Sequence, residues 1–90
     1  MLVLPVDLTR AEAAACLQML VQGLADESAA AAVVVDAGAL VRFDSSALAV
    51  LLEFRREALA IGKTLVIRAM PARLRDLAIV YGIAELLPAG

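Results

Sequence analysis

Residues 33–67, VVVDAGALVRFDSSALAVLLEFRREALAIGKTLVI, decide the fold. The stretch opens on three β-branched valines, the end of an apolar run over residues 31–35 that meets Asp36. A wholly apolar strand predicts a central position, buried on both faces by helices. Asp36, Ala37 and Gly38 read as a turn or strand end, and residues 39–43 as a short connector. A helix follows over about 45–61. Ala47, Val50, Leu51, Phe54 and Ala58 form its apolar stripe, widened by Leu48, Leu52 and Leu59. Glu53, Arg56 and Glu57 form its polar stripe, with Ala49 and Ala60 on the same side. Helical spacing of this kind marks an amphipathic helix buried over more than half its circumference. Gly62 is placed to close it. Residues 63–69, KTLVIRA, read as a second strand. A strand-helix-strand unit of this length implies a crossover, and therefore parallel, right-handed neighbours.

Working outward, residues 1–7, MLVLPVD, predict a short strand at a sheet edge, because Pro5 has no amide to give a ladder. Thr9 and Glu12 have the spacing of a capping box, which predicts a helix over about 9–25 with Leu17, Leu20, Val21 and Leu24 on its inner face. The segment ADES ends it. On the other side, Pro71 suits the first turn of a third helix. Leu74, Leu77, Ala78 and Tyr81 repeat the helical spacing, Gly82 stops it, and IAELLPAG forms a short capping tail. The order is β-α-β-α-β-α over residues 1–90: a single α/β domain with a thin, mostly parallel sheet and three helices.

Composition excludes several classes of function. The chain is 63% apolar, nearly all of it small and aliphatic, with a net charge of −2. The longest uncharged stretch that could suggest a membrane helix, residues 13–25, is too short for a span of roughly 20 residues. No basic segment precedes the first apolar residues, so the expectation is a cytoplasmic protein without direct membrane insertion. Neither an acidic surface nor three aromatic residues (Phe43, Phe54, Tyr81) suits nucleic acid. There is no His, and Cys16 is the single cysteine. A metal site, a disulfide and a thiol or serine hydrolase all lack their partners, and no glycine-rich phosphate cradle is present. The sequence therefore predicts no enzyme and no cofactor.

Attention falls on the junction Arg42-Phe43-Asp44-Ser45-Ser46. A helix N-terminus carries unpaired amides and about half a positive charge. One acid or hydroxyl is enough to cap it. Three polar residues in a row, at the end of a parallel strand where α/β proteins place ligand and partner sites, suggest more than a cap. A hydroxyl on the first turn could carry a phosphate, with Asp44 opposing it by like charge. It could equally be a neutral docking point. The residues alone leave both readings open. Arg42 is expected to pair with Asp44 or with an acid on a partner. Arg55, Arg56, Arg73 and Arg75 read either as solvated surface or as a charged rim to an interface. Tyr81 reads as core, with its hydroxyl at the rim. Met70, Leu86 and Leu87 read as lids on the core, unless exposure makes Leu86 or Leu87 part of a docking patch.

The strand ending in Asp36, the short connector and the Asp44-Ser45-Ser46 helix start resemble a STAS domain, the fold of bacterial anti-sigma factor antagonists. The C-terminal run RLRDLAIVYGIAELLP is similar to that of MlaB-type STAS subunits of the Mla phospholipid-transport system. This resemblance implies a non-enzymatic protein. It would dock on the cytoplasmic, MlaF-like ATPase subunit of an ABC transporter that maintains outer-membrane lipid asymmetry, peripheral to the inner-membrane complex. It places Ser45 at the ATPase-facing surface, with Arg42, Asp44, Ser46, Arg73 and Tyr81 around it. The alternative the family offers is an anti-sigma factor antagonist switched by phosphorylation of Ser46. Two departures stand out. Ala47 replaces the Gly of the family motif, and the strand that usually precedes LVLPVDL is missing. The second predicts an exposed sheet edge that pairs with another chain, in the simplest case a homodimer.

Overall fold

The computed structural model describes residues 1–27 and 31–88. The described residues form five short strands and three helices in the order β1 (Leu2–Val3), β2 (Asp7–Leu8), α1 (Ala13–Leu24), β3 (Ala32–Asp36), β4 (Arg42–Phe43), α2 (Ser45–Ala60), β5 (Thr64–Arg68) and α3 (Ala72–Val80). Single 3₁₀ turns follow α1 and α3, at Ala25–Glu27 and Ala84–Leu86. Ser28 of the ADES segment and the last two residues of the tail lie outside the described residues.

The sheet has the order β1-β3-β5, all parallel, with Val33 opposite Leu65, Val35 opposite Ile67 and Leu2 opposite Val35. This is the small parallel α/β arrangement expected from the crossover pattern. One expectation fails. β3 is not buried on both faces. Val33 and Val35 are sealed, whereas Val34 between them is only half-buried, and β5 alternates in the same way. The reason lies in the helices. All three send their buried residues into the same core as Val33, Val35, Leu65 and Ile67, so only one face of the sheet is fully covered. An apolar β-branched run satisfies such a strand as well as one covered twice, and periodicity cannot separate the two.

β4 is a second departure. The segment expected as a plain connector pairs in parallel with β2, Asp7 opposite Arg42 and Leu8 opposite Phe43. This short ladder, with the Val6 carbonyl accepting from the amides of both Val41 and Arg42, sets the height at which the chain enters α2. Two-residue strands carry no readable period.

The start of α1 is a third. The helix begins at Ala13, four residues after Thr9. The Thr9 amide and hydroxyl both donate to one Glu12 carboxylate oxygen, at 2.8 and 2.7 Å. The Glu12 amide donates to the Thr9 carbonyl instead of to the hydroxyl. Half of the capping box forms, and it closes a turn before the helix rather than its first turn. Further along, Gly23 allows α1 to lie on Leu2, whose methyl would sit 2.5 Å from an added Cβ.

α2 follows its pattern closely. Ala47, Leu48, Val50, Leu51, Phe54 and Ala58 are buried, and Gly62 takes φ +78 just past its end. Ala47, where the family motif has Gly, is fully enclosed, so its methyl is core packing. In the tail, Leu87 is sealed and Leu86 is exposed, while Met70, between β5 and α3, packs at the edge of the core. The Pro88 carbonyl accepts from the Ile67 amide, so the tail lies along the outer side of β5.

Candidate functional site

The site grows from the entry into α2. Asp44 is the N-cap residue in an extended conformation, and its Oδ1 accepts from the Ser46 amide at 2.8 Å. Its Oδ2 accepts from the Arg10 amide at 3.3 Å, which ties the turn before α1 to the tip of α2. The Ser46 amide, helped by the Ser46 side chain and the amide and charge of Arg10, holds the Asp44 carboxyl below its ordinary pKa against an opposing effect of desolvation. Capping is thus a real role of this acid. It does not use up the junction. Ser45, the first helical residue, points into solvent, while Ser46 is half-buried beside the Asp44 carboxylate.

What surrounds Ser45 is an open, mostly apolar groove of about 270 Å³ between α2 and the end of α3. Leu48, Ala49 and Leu52 line one side, Tyr81 and Ile83 the other. Ser45 and Tyr81, thirty-six positions apart by number (81 less 45), are brought to one feature. Tyr81 is not a core residue. It caps the C-terminus of α3 with 58% of its surface exposed.

The remaining expected residues are distributed nearby. Arg42 lies on β4 and its Nε is 3.7 Å from an oxygen of Asp7, not paired with Asp44. The parallel register explains this, since Arg42 and Asp7 are direct cross-strand neighbours. At 77% and 47% side-chain exposure this pair adds little to stability. Arg73 lays its guanidinium over the Phe43 ring, 5.2 Å from the centroid. These two residues, with Asp76, Leu77 and Val80, line a second groove of about 310 Å³. Arg56 pairs with Glu53 at 3.1 Å, and Arg75 donates to the Ala84 carbonyl, so these two arginines serve the fold's surface.

Sequence reasoning missed Arg10 and the contact of Phe43 with Arg73, left Ile83 in the capping tail, and assigned Leu48 and Leu52 wholly to the core. A signal for the groove did exist. Ser45, Leu48, Ala49 and Leu52 stand at i, i+3, i+4 and i+7, one face of α2 with the hydroxyl at its end. Arg10 carries no such signal: it stands 34 positions before Asp44 and reaches the helix tip only through the fold.

Chemically, the arrangement offers surface and shape. Cys16 is buried, which pushes its thiol pKa up and away from reactivity. Among the described residues no cluster of His, Cys, Asp and Glu is placed to hold a metal, and no helix is long and apolar enough to cross a membrane.

Comparison with protein families matches residues 1–88 to the family described as "Mlab, STAS domain". A search of the curated proteins returns no match to the chain.

Proposed function

The chain belongs to the MlaB-like STAS family, and we propose that it acts by docking on the cytoplasmic ATPase of a Mla-type phospholipid ABC transporter and biasing that ATPase toward its competent state. STAS domains are generally non-catalytic, and binding alone suffices for this role. A bound subunit shifts a partner's equilibrium by as much as its contacts favour one state over the other.

The observation that carries the reading is the groove beside Ser45. A small hydroxyl stands at the rim of an apolar trough whose far wall is the exposed Tyr81 ring. Apolar surface of this kind, rimmed by polar groups, marks a protein contact. Aromatic residues that offer a ring and a hydroxyl together are favoured in such contacts. Ser45 is the central polar group, with Asp44 and Ser46 fixing the helix tip that presents it and Arg42 beside them. The site of action is then the cytoplasmic side of the inner-membrane complex.

The test is Ser45→Arg. Ser45 is exposed, so the variant folds with an unchanged thermal midpoint, while the long charged side chain blocks the groove and capture of the purified ATPase subunit is lost. Undiminished capture would remove Ser45 from the interface. The alternative, a switch phosphorylated at Ser46, has weaker support. A phosphate there adds a charge of about −1.5 to −2 next to a carboxylate that the Ser46 amide keeps ionised. Intact-mass measurement after incubation with the corresponding kinase, with Ser46→Ala as control, decides it.

A further inference from the structure

The end of α3 joins two grooves into one surface. Ile79, Val80 and Tyr81 are consecutive large apolar residues with 58%, 79% and 58% of their surface exposed. Tyr81 borders the Ser45 groove, and Val80 borders the Phe43–Arg73 groove on the other side of the helix end. A ridge of this exposure, flanked by a hollow on each side, is shaped to enter a depression in another protein.

The charge beside that ridge indicates what the other protein presents. Among the described residues no carboxylate lies within ion-pair distance of Arg73, although Asp76 follows it by one helical turn and lines the same groove. The Phe43 ring is its partner among the described residues. Contact with a ring face uses none of the guanidinium's N–H donors, and Arg73 is exposed, so these donors suit a carboxylate binding through two parallel hydrogen bonds. Stacking also fixes the side chain in advance, so less rotamer freedom is lost on binding. Docking of Val80 and Tyr81 would exclude water next to this cation and strengthen its attraction for an acid.

We propose that Arg73, held on Phe43, is the charged determinant of the docking surface and receives an Asp or Glu carboxylate of the ATPase while Val80 and Tyr81 fill an apolar depression beside it. This inference rests on the Ser45 groove being the ATPase-facing side, and it extends that surface across the end of α3. Arg73 selects the partner by charge, and Ser45 by steric fit.

The experiment measures the affinity of the purified MlaF-like ATPase of the same host for wild-type protein, Arg73→Lys, Arg73→Met, Arg73→Glu and Ser45→Arg, each at low and at high salt. Arg73 is exposed, so all three of its variants keep the wild-type melting midpoint. Arg73→Met is expected to weaken binding about tenfold and to lose most of the salt dependence, with Arg73→Glu weaker still and Arg73→Lys between Met and wild type. If Arg73→Glu binds as wild type does while Ser45→Arg does not bind, this inference is overturned and the docking reading stands. If both bind as wild type, the docking reading fails and takes the inference with it. The acid could instead be Asp76 of a second copy. Light scattering that shows a dimer of the free protein, dispersed by Arg73→Glu, would overturn the assignment to the ATPase.

Discussion

α2 and α3 differ in how firmly the chain commits them. α2 enters through a satisfied cap, Asp44 holding the Ser46 amide, and sinks six residues into the core. α3 enters through Ala69, which has φ 57 without being glycine, followed by Pro71 with no side-chain cap. It buries only Leu74 and Ala78 and leaves its C-terminal end bare. The difference teaches that the two helices answer to different demands. α2 is the beam of the domain and lends one edge to recognition. α3 is fastened by two side chains, and its outer surface is free to be chosen for a partner.

This contrast can be broken most directly at Phe54, which is fully enclosed. Phe54→Ala is expected to cost about 3–5 kcal/mol, against a total of roughly 5–15 kcal/mol for a domain. A thermal melt followed by circular dichroism should move down by about 15 °C or more. A shift of only a few degrees would show that α2 is not the beam. A smaller change of opposite sign is expected at the entry to α3. Ala69→Gly removes the left-handed strain at the expense of a more flexible unfolded chain. The net gain is about 1 kcal/mol, a rise of about 4–8 °C. No rise would mean that α3 is entered without strain and the contrast with α2 is weaker.

The smallest effect sharpens the comparison at the entry to α2. The Asp44 carboxyl titrates below its ordinary range in the folded chain. Its contribution to stability is therefore complete above the unfolded value and is lost as pH falls through the folded one. Asparagine caps about as well as aspartate. Asp44→Asn should leave the melting midpoint nearly unchanged at neutral pH and flatten its decline on acidification. Glu12, lowered by the Thr9 hydroxyl and amide, accounts for part of the decline that remains. An acid limb identical to that of the wild type would remove Asp44 from the cap.

Elements that repeat a period over several turns were legible in the sequence. α2 and α3 show their apolar spacing and their closing glycines, and β3 and β5 are built around the apolar triplets Val33-Val34-Val35 and Leu65-Val66-Ile67. The β2–β4 ladder was not legible, since two residues have no period, and with it went the Arg42–Asp7 pairing and the approach of Arg10 to Asp44. The first turn of α1 was misread because a Thr hydroxyl can donate as readily as it accepts. At the candidate site, the polar junction could be found from residue types alone. Of the groove, only the α2 wall had a signal in its spacing; the other wall did not, because Tyr81 and Ile83 reach Ser45 only through the packing of α3 on α2. The one-sided burial of the sheet was hidden too, since Val33, Val34 and Val35 look alike on paper and differ only in which way they point.

The hydrogen bond from Ile67 to the Pro88 carbonyl has a further meaning for how such chains could assemble. It occupies the outer side of β5, so among the described residues the free edge of the three-stranded sheet is β1. There the Leu4 amide is turned inward to Asp36, and the next residue, Pro5, has nothing to donate. A sheet closed on one flank and curtailed on the other cannot propagate. Pairing of two copies along β1 would therefore end at the pair, since the far flank of each three-stranded sheet is taken.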